Sequence, residues 1–252
     1  MELWQALILA LYYGFFATKI LILIIGPQMY GSIIGLFVGI IMGDVSKGVA
    51  IGAAIHTMYL GVVNYGGTLP SDQLLACIVA IPLAISTGLD TETAVALAAT
   101  FGALGVAFDT IWKTLNTSVW SPYVDKCVAN NNYKGIVRGS GIFPLLTSIV
   151  LRAPIIFALL YFGSDTVNWL VNNLPATLLH GLSVMGSILP AMGFGIFISI
   201  IGRPIQIPYF ICGFFVMQLF GIPIIGCAVF GFFLAFLSIV WVDSKFAIGG
   251  KS

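Results

Sequence analysis

The sequence predicts an all-α polytopic membrane protein, built from transmembrane helices together with half-helices and a re-entrant hairpin. Three observations lead there. Only 8% of the 252 residues are charged, 60% are hydrophobic, and the mean hydropathy is +1.09. A soluble domain carries about 25% charged residues, so lipid covers much of this surface. The few charges punctuate the chain: none lies between Lys19 and Asp44, Lys47 and Asp72, Asp165 and Arg203, or Arg203 and Asp243. Finally, several apolar segments are too short to cross a bilayer and end at Gly and Pro. At about 20 residues per crossing the length holds roughly six to nine segments.

Taken in order, the first span covers 3–25, interrupted by Lys19 and then by Gly26-Pro27. Only Met1 and Glu2 precede it, so it lacks the basic start of a signal peptide and reads as a retained membrane segment. The next segments are 31–43, ending at Gly43-Asp44; 48–62, ending at the Asn64-Tyr65-Gly66-Gly67 break; and 73–88. A helix rises 1.5 Å per residue, so these three fall short of a hydrocarbon core of about 30 Å. Non-helical backbone at membrane depth is tolerated only where protein or a water-filled cavity satisfies it. Half-helices around a break are how many transporters build a midplane site. A full span follows at 92–112, then a polar interfacial helix or loop at 114–138, then spans at 140–162, 176–201, 205–220 and 222–242.

Orientation follows from Lys and Arg. Lys113, Lys126, Lys134 and Arg138 put the 113–138 segment in the cytoplasm. The 163–175 loop, with Asp165 and no Lys or Arg, faces outside, as do Asp90/Glu92 and the Gly221-Ile222-Pro223 hairpin. Arg203 and the tail with Lys245 and Lys251 are cytoplasmic. The short segments leave the number of crossings, and hence the side of the N-terminus, open.

The densest polar cluster in the apolar N-terminal third runs from His56 to Gln73. His56, Asn64, Thr68, Ser71, Asp72 and Gln73 supply donors and acceptors. Gly66 and Gly67 let backbone turn and approach a ligand closely. Tyr59 and Tyr65 offer rings for a sugar to stack on. A hydrophilic solute needs its hydroxyls satisfied, because each unpaired polar group in an apolar site costs several kcal/mol. Two readings fit: a solute site, or an ordinary turn made of turn-forming residues. The shortness of both flanking segments favours the site. Asp72 is a solute ligand, an N-cap for the helix starting at Gln73, or both. His56 is a solute ligand or a buried histidine bonded to a neighbouring helix. Gln28, just after Gly26-Pro27, faces the same cavity across the break. Asp44 reads as a structural cap, and Lys19 as a paired or snorkelling charge. Arg152 lies inside the 140–162 span and is expected in an internal ion pair or a subunit contact.

Other functions find no support. A net charge of +1 without a basic patch excludes nucleic acid as partner. No P-loop, GxSxG or HExxH motif occurs, and His56 has no second ligand at i+3 or i+4, so neither a metal nor a cofactor is expected. Cys77, Cys127, Cys212 and Cys227 are far apart and read as small buried hydrophobes.

The runs Gly39-Ile40-Ile41-Met42-Gly43-Asp44, Lys47-Gly48, Ile51-Gly52-Ala53 and Gly61-Val62-Val63-Asn64-Tyr65-Gly66-Gly67-Thr68-Leu69-Pro70-Ser71-Asp72 resemble the IIC subunit of the mannose/fructose/sorbose family of the bacterial phosphotransferase system. The resemblance covers nearly the whole chain. It implies a multi-pass sugar permease of the cytoplasmic (inner) membrane, importing a hexose or amino sugar. It implies pairing with a IID membrane subunit in a trimer of heterodimers, and cytoplasmic IIB and IIA proteins that phosphorylate the sugar. The chain itself is then expected to carry no catalytic or phosphorylated residue. The family's elevator-type motion implies one membrane domain over 1–252, with a mobile core at 26–112, the cytoplasmic segment at 113–138, and further helices at 139–243. Asn64 and Asp72 match the family's polar positions. His56, Tyr65 and Thr68 depart from the mannose type and lie closer to members for N-acetylgalactosamine or galactosamine. The rival reading is a stand-alone ion-coupled secondary transporter of a small polar solute.

Overall fold

The computed structural model describes residues 1–18, 30–60, 62, 71–173, 175–222 and 224–249, all helices and connections with no strand among them. They fall into two compact units, Met1–Ile198 and Ser199–Ser252.

In the first unit, α1 (Leu3–Phe16) starts at a Glu2/Gln5 capping box, and the Gln5 amide donates to Ile41 O at 3.0 Å. Three short helices follow: α2 (Gly31–Met42), α3 (Val45–Tyr59) and α4 (Gln73–Thr87). α2 and α3 form an antiparallel hairpin around Gly43, whose φ of 81° is the left-handed conformation that glycine adopts without strain. Asp44 then caps α3 by accepting from Lys47 N at 2.9 Å. The hairpin is packed backbone against backbone. Gly31, Gly35 and Gly39 face Gly52, Gly48 and the Asp44–Val45 turn. A Cβ on Gly48 would sit 2.5 Å from Gly35 O, and one on Gly39 2.8 Å from Asp44 O. Such close approach is how helices associate where lipid removes any hydrophobic drive between them.

α4 is the centre of the unit. Every residue from Leu75 to Ala84 is buried, including Pro82. A helix apolar and covered on all sides is a core helix. α3 and α4 run antiparallel along their whole length. Lys47 Nζ, at the start of α3, donates to Ala84 O near the end of α4 (3.2 Å), while His56 and Tyr59 meet Gln73 and Ser71 at the other end.

α5 (Thr91–Leu115) continues through a π-type turn at Asn116–Trp120 into α6 (Ser121–Ala129); α7 (Tyr133–Val137) passes through a second at Arg138–Ile142 into α8 (Phe143–Asn173). The polar 114–138 segment is therefore helical on both sides of a tight Asn130–Asn132 turn, in which Asn132 accepts from Gly135 N. α8 corrects one expectation. The 163–175 stretch is not a loop up to Asn173: the helix carries on past Gly163 and Asp165. One charge does not break a helix, and α8 runs to Asn173, two residues before Pro175, which cannot continue a helix. α1 packs on α8 at Gly14, whose Cβ would stand 3.0 Å from Ile149 Cα, and Ser148 Oγ donates to Gly14 O at 2.8 Å. α9 (Ala176–Ile201) lies with Gly186 on Glu92 and Gly193 on the Thr57 and Met58 carbonyls, at the end of α3.

In the second unit, α10 (Ile207–Phe220) ends at left-handed Gly221 (φ 63°) and is followed by α11 (Ile224–Gly249). Among the described residues, three helical stretches are long and apolar enough to cross a membrane: Thr91–Ala129, Tyr133–Gly163 and Ser183–Ile200.

Candidate functional site

The polar cluster divides between what the structure describes and what it does not. Gln28, Asn64, Gly66, Gly67 and Thr68, with Lys19 and Tyr65, lie outside the described residues. His56, Tyr59, Ser71, Asp72 and Gln73 lie within them, and they line the two ends of the break.

Asp72 is the N-cap of α4. Its Oδ1 accepts from Leu74 N at 3.0 Å and Leu75 N at 3.2 Å, satisfying two of the donors that a helix start leaves unpaired. Its Oδ2 accepts from the Tyr13 hydroxyl at 2.8 Å. A carboxylate offers about four acceptor positions. Described residues take three, and one on Oδ2 remains. The backbone N–H of Asp72 donates to Gly102 O in α5 at 2.9 Å. This approach needs glycine on α5: a Cβ at Gly105 would lie 3.1 Å from Asp72 Cγ, and one at Gly102 2.6 Å from Ser71 Oγ.

Two further bonds stitch the ends of the break. Tyr59 Oη and Ser71 Oγ are 2.7 Å apart, and Gln73 Nε2 is 2.8 Å from His56 Nδ1. With the Gln73 amide donating, Nδ1 accepts and the proton sits on Nε2, which keeps a donor for another group. The Tyr30 ring stands edge-on to His56 at 5.2 Å. His56 is thus bonded to a neighbouring helix and half-buried, and Asp72 is a cap whose remaining acceptor is single.

The depth of the cluster follows from α5. Gly102 and Gly105, level with Ser71 and Asp72, lie about 17–21 Å along that helix from its start at Thr91. A hydrocarbon core is about 30 Å thick. Ser71 and Asp72 therefore sit level with the middle of α5, while α3 and α4, of 15 residues each, reach only about 22 Å.

Sequence reasoning left three residues around Asp72 unassigned: Tyr13, Asp109 and, as to its partner, Arg152. Arg152 is only 1% exposed; its Nη2 lies 3.4 Å from Asp109 Oδ1, and Lys113 Nζ lies 2.6 Å from Asp109 Oδ2. These groups come from α1, α5 and α8, far apart in sequence. The signal available was a charge or a phenol inside an apolar span, without a spacing that names its partner.

The model of the sorbose-specific IIC component of the phosphotransferase system matches residues 3–237. The chain belongs to that family. This IIC component is 30% identical over 205 residues to the N-acetylgalactosamine permease IIC component 1 of Escherichia coli (strain K12), covering 78% of this chain and 76% of that protein. It is 26% identical to the mannose-specific EIIC component of the same strain, over 80% of this chain and 76% of the relative. It is 25% identical to the sorbose-specific EIIC component of Klebsiella pneumoniae, over 70% and 66%. Two solved structures share its fold at 24% identity, each covered at 94% on both sides: a membrane protein (TM-score 0.74) and the mannose transporter ManYZ in complex with microcin E492 (TM-score 0.57). The all-helical membrane fold and the role of a sugar-permease IIC component are those read from the sequence. A IIC component works as one part of a phosphotransferase-system complex.

Proposed function

We propose that this IIC component imports an amino sugar of the N-acetylgalactosamine or galactosamine type, or a mannose-like hexose, across the bacterial cytoplasmic membrane. The polar break between α3 and α4 is its sugar site. The observation that carries this reading is the depth of Asp72: a capped carboxylate with one acceptor position left, level with the middle of α5. A carboxylate at that depth is costly and tends to be functional. The higher identity to the N-acetylgalactosamine relative than to the mannose relative supports the amino sugar.

In this reading the remaining Oδ2 position of Asp72 accepts a sugar hydroxyl. Asn64 and Thr68 bind further hydroxyls, Gly66 and Gly67 bring backbone close, and His56 and Gln28 complete the cavity. A IID subunit pairs with this multi-pass chain in a trimer of heterodimers. Cytoplasmic IIB, charged by IIA, phosphorylates the sugar and so prevents its return. The core around the break, within 26–112, moves against the helices of 139–243 in an elevator-like step. The α2–α3 hairpin suits such a step, because a backbone-to-backbone interface has no side-chain rotamers to rearrange and travels as one body.

The test is uptake of radiolabelled N-acetylgalactosamine and mannose in cells with and without the IID and IIB proteins. Accumulation of sugar phosphate only with both present is expected, and Asn64→Ala or Asp72→Ala abolishes it. Uptake of unmodified sugar by this chain alone, driven by a proton or sodium gradient, would overturn the reading.

A further inference from the structure

Beyond the break, a second polar assembly crosses the first unit. The Tyr13 ring is fully buried, and its hydroxyl holds Asp72 Oδ2. The Arg152 guanidinium lies 5.8 Å from the centre of that ring and 5.3 Å from the Trp112 ring. Its bonds are long: 3.3 Å from Nη1 to Ser148 Oγ and 3.4 Å from Nη2 to Asp109 Oδ1. Its Nε, buried, has no partner among the described residues. With Lys113 on the other Asp109 oxygen, the assembly balances two carboxylates against two cations.

A buried arginine held this loosely is weakly justified by stability, since replacing such pairs by apolar residues is often neutral or better. Its position supplies another reason. The positive charge sits beside the Tyr13 ring, whose hydroxyl end points at Asp72. A cation there favours the phenol as donor and the carboxylate as charged acceptor, and low dielectric strengthens both effects. Two ties, Tyr13–Asp72 and Arg152–Asp109, also join the α1/α8 pair to the α4/α5 pair.

We infer that Tyr13 is a positioning residue for the sugar site, backed by Arg152. It occupies one position of Asp72 Oδ2 and so fixes the direction of the single acceptor left for a sugar hydroxyl. The inference rests on the reading of Asp72 as a sugar ligand.

The experiment measures phosphoenolpyruvate-driven uptake of radiolabelled N-acetylgalactosamine in membranes holding the complete complex, with the abundance of each variant recorded. Tyr13→Phe removes one oxygen and keeps the ring. It raises the half-saturating sugar concentration about tenfold, the size of one hydrogen bond to a charged acceptor, with maximal rate and abundance unchanged. Arg152→Lys keeps the charge without the planar fork and raises it less, about threefold. Added to Asp72→Asn, Tyr13→Phe has no further effect. A fall in abundance with half-saturation intact would make Tyr13 a packing residue and overturn the inference. So would effects of Tyr13→Phe and Asp72→Asn that multiply independently. A tenfold change with Asp72→Asn and none with Tyr13→Phe sinks the positioning role alone. No change with Asp72→Asn sinks the reading of the site and the inference with it.

Discussion

The helices α1–α5 with α8 and the helices α10–α11 are all rich in apolar residues, yet they use those residues in opposite ways. The first group closes on itself. Leu75 to Ala84 are buried, glycines on α2, α3 and α5 let backbones touch, and Asp109 and Arg152 are paired inside. The second group keeps its large side chains outward: Leu219, Phe220, Phe230 and Phe232 are 74%, 74%, 66% and 76% exposed. Small residues and paired charges mark surfaces built to meet the same chain. Large aromatic residues on every side mark surfaces built to meet lipid or another subunit. Both groups are apolar, and residue size marks the difference between their surfaces.

That contrast can be broken most readily at Arg152. Asp109→Leu strands Arg152, 1% exposed and left with Ser148 Oγ at 3.3 Å, and costs about 3–5 kcal/mol, the usual loss when one partner of a buried pair is removed; thermal melting of the chain in detergent measures it. A loss under about 1 kcal/mol would mean that water reaches the pair. Ile78→Ala in α4 is expected to cost about 2–5 kcal/mol, and Phe232→Ala in α11 less than about 0.5 kcal/mol. Equal effects would dissolve the distinction between the two groups. Gly35→Ala drives a Cβ into Gly48 O and should cost about 1–3 kcal/mol, whereas Gly231→Ala, with open space around it, changes little and favours the helix. The melting order of these two variants sharpens the contrast. The smallest effect belongs to Asp90, outside the spans. Partial burial raises its carboxyl, but hydrogen bonds from the Thr93 and Ser183 side chains outweigh this and hold it below its ordinary value. Its contribution is present above the unfolded carboxylate value and lost as pH falls through the folded one. Ser183→Ala should remove a few tenths of a kcal/mol at neutral pH and nothing in strong acid, read as melting curves at the two pH values.

Local signals carried much of the fold. Gly43-Asp44 is a left-handed end followed by a cap, Gly88 ends α4, and Asp72 starts it. Each depends on neighbours within four residues, which a sequence displays. The continuation of α8 to Asn173 was hidden because Gly163 and Asp165 resemble a loop, while proline at 175 is what stops the helix. Of the candidate site, the residue types of His56 and Asp72 stood out as polar groups in an apolar stretch. Their partners did not all do so. Gln73 is adjacent to Asp72, but Tyr13, Gly102 and Gly105 reach it only through packing of α1 and α5. Tyr13 reads in sequence as one more aromatic in a hydrophobic helix, and no period or spacing links it to a carboxylate 59 positions away.

The glycine face between α2 and α3 also bears on heredity. Any coding change at Gly31, Gly35, Gly48 or Gly52 adds at least one carbon, and the facing carbonyl leaves no room for it. Relief would need a second, simultaneous change, yet the opposing position is already glycine and has nothing left to remove. The hairpin therefore penalises substitution at either side of the seam, and a single replacement there has no compensating partner across it.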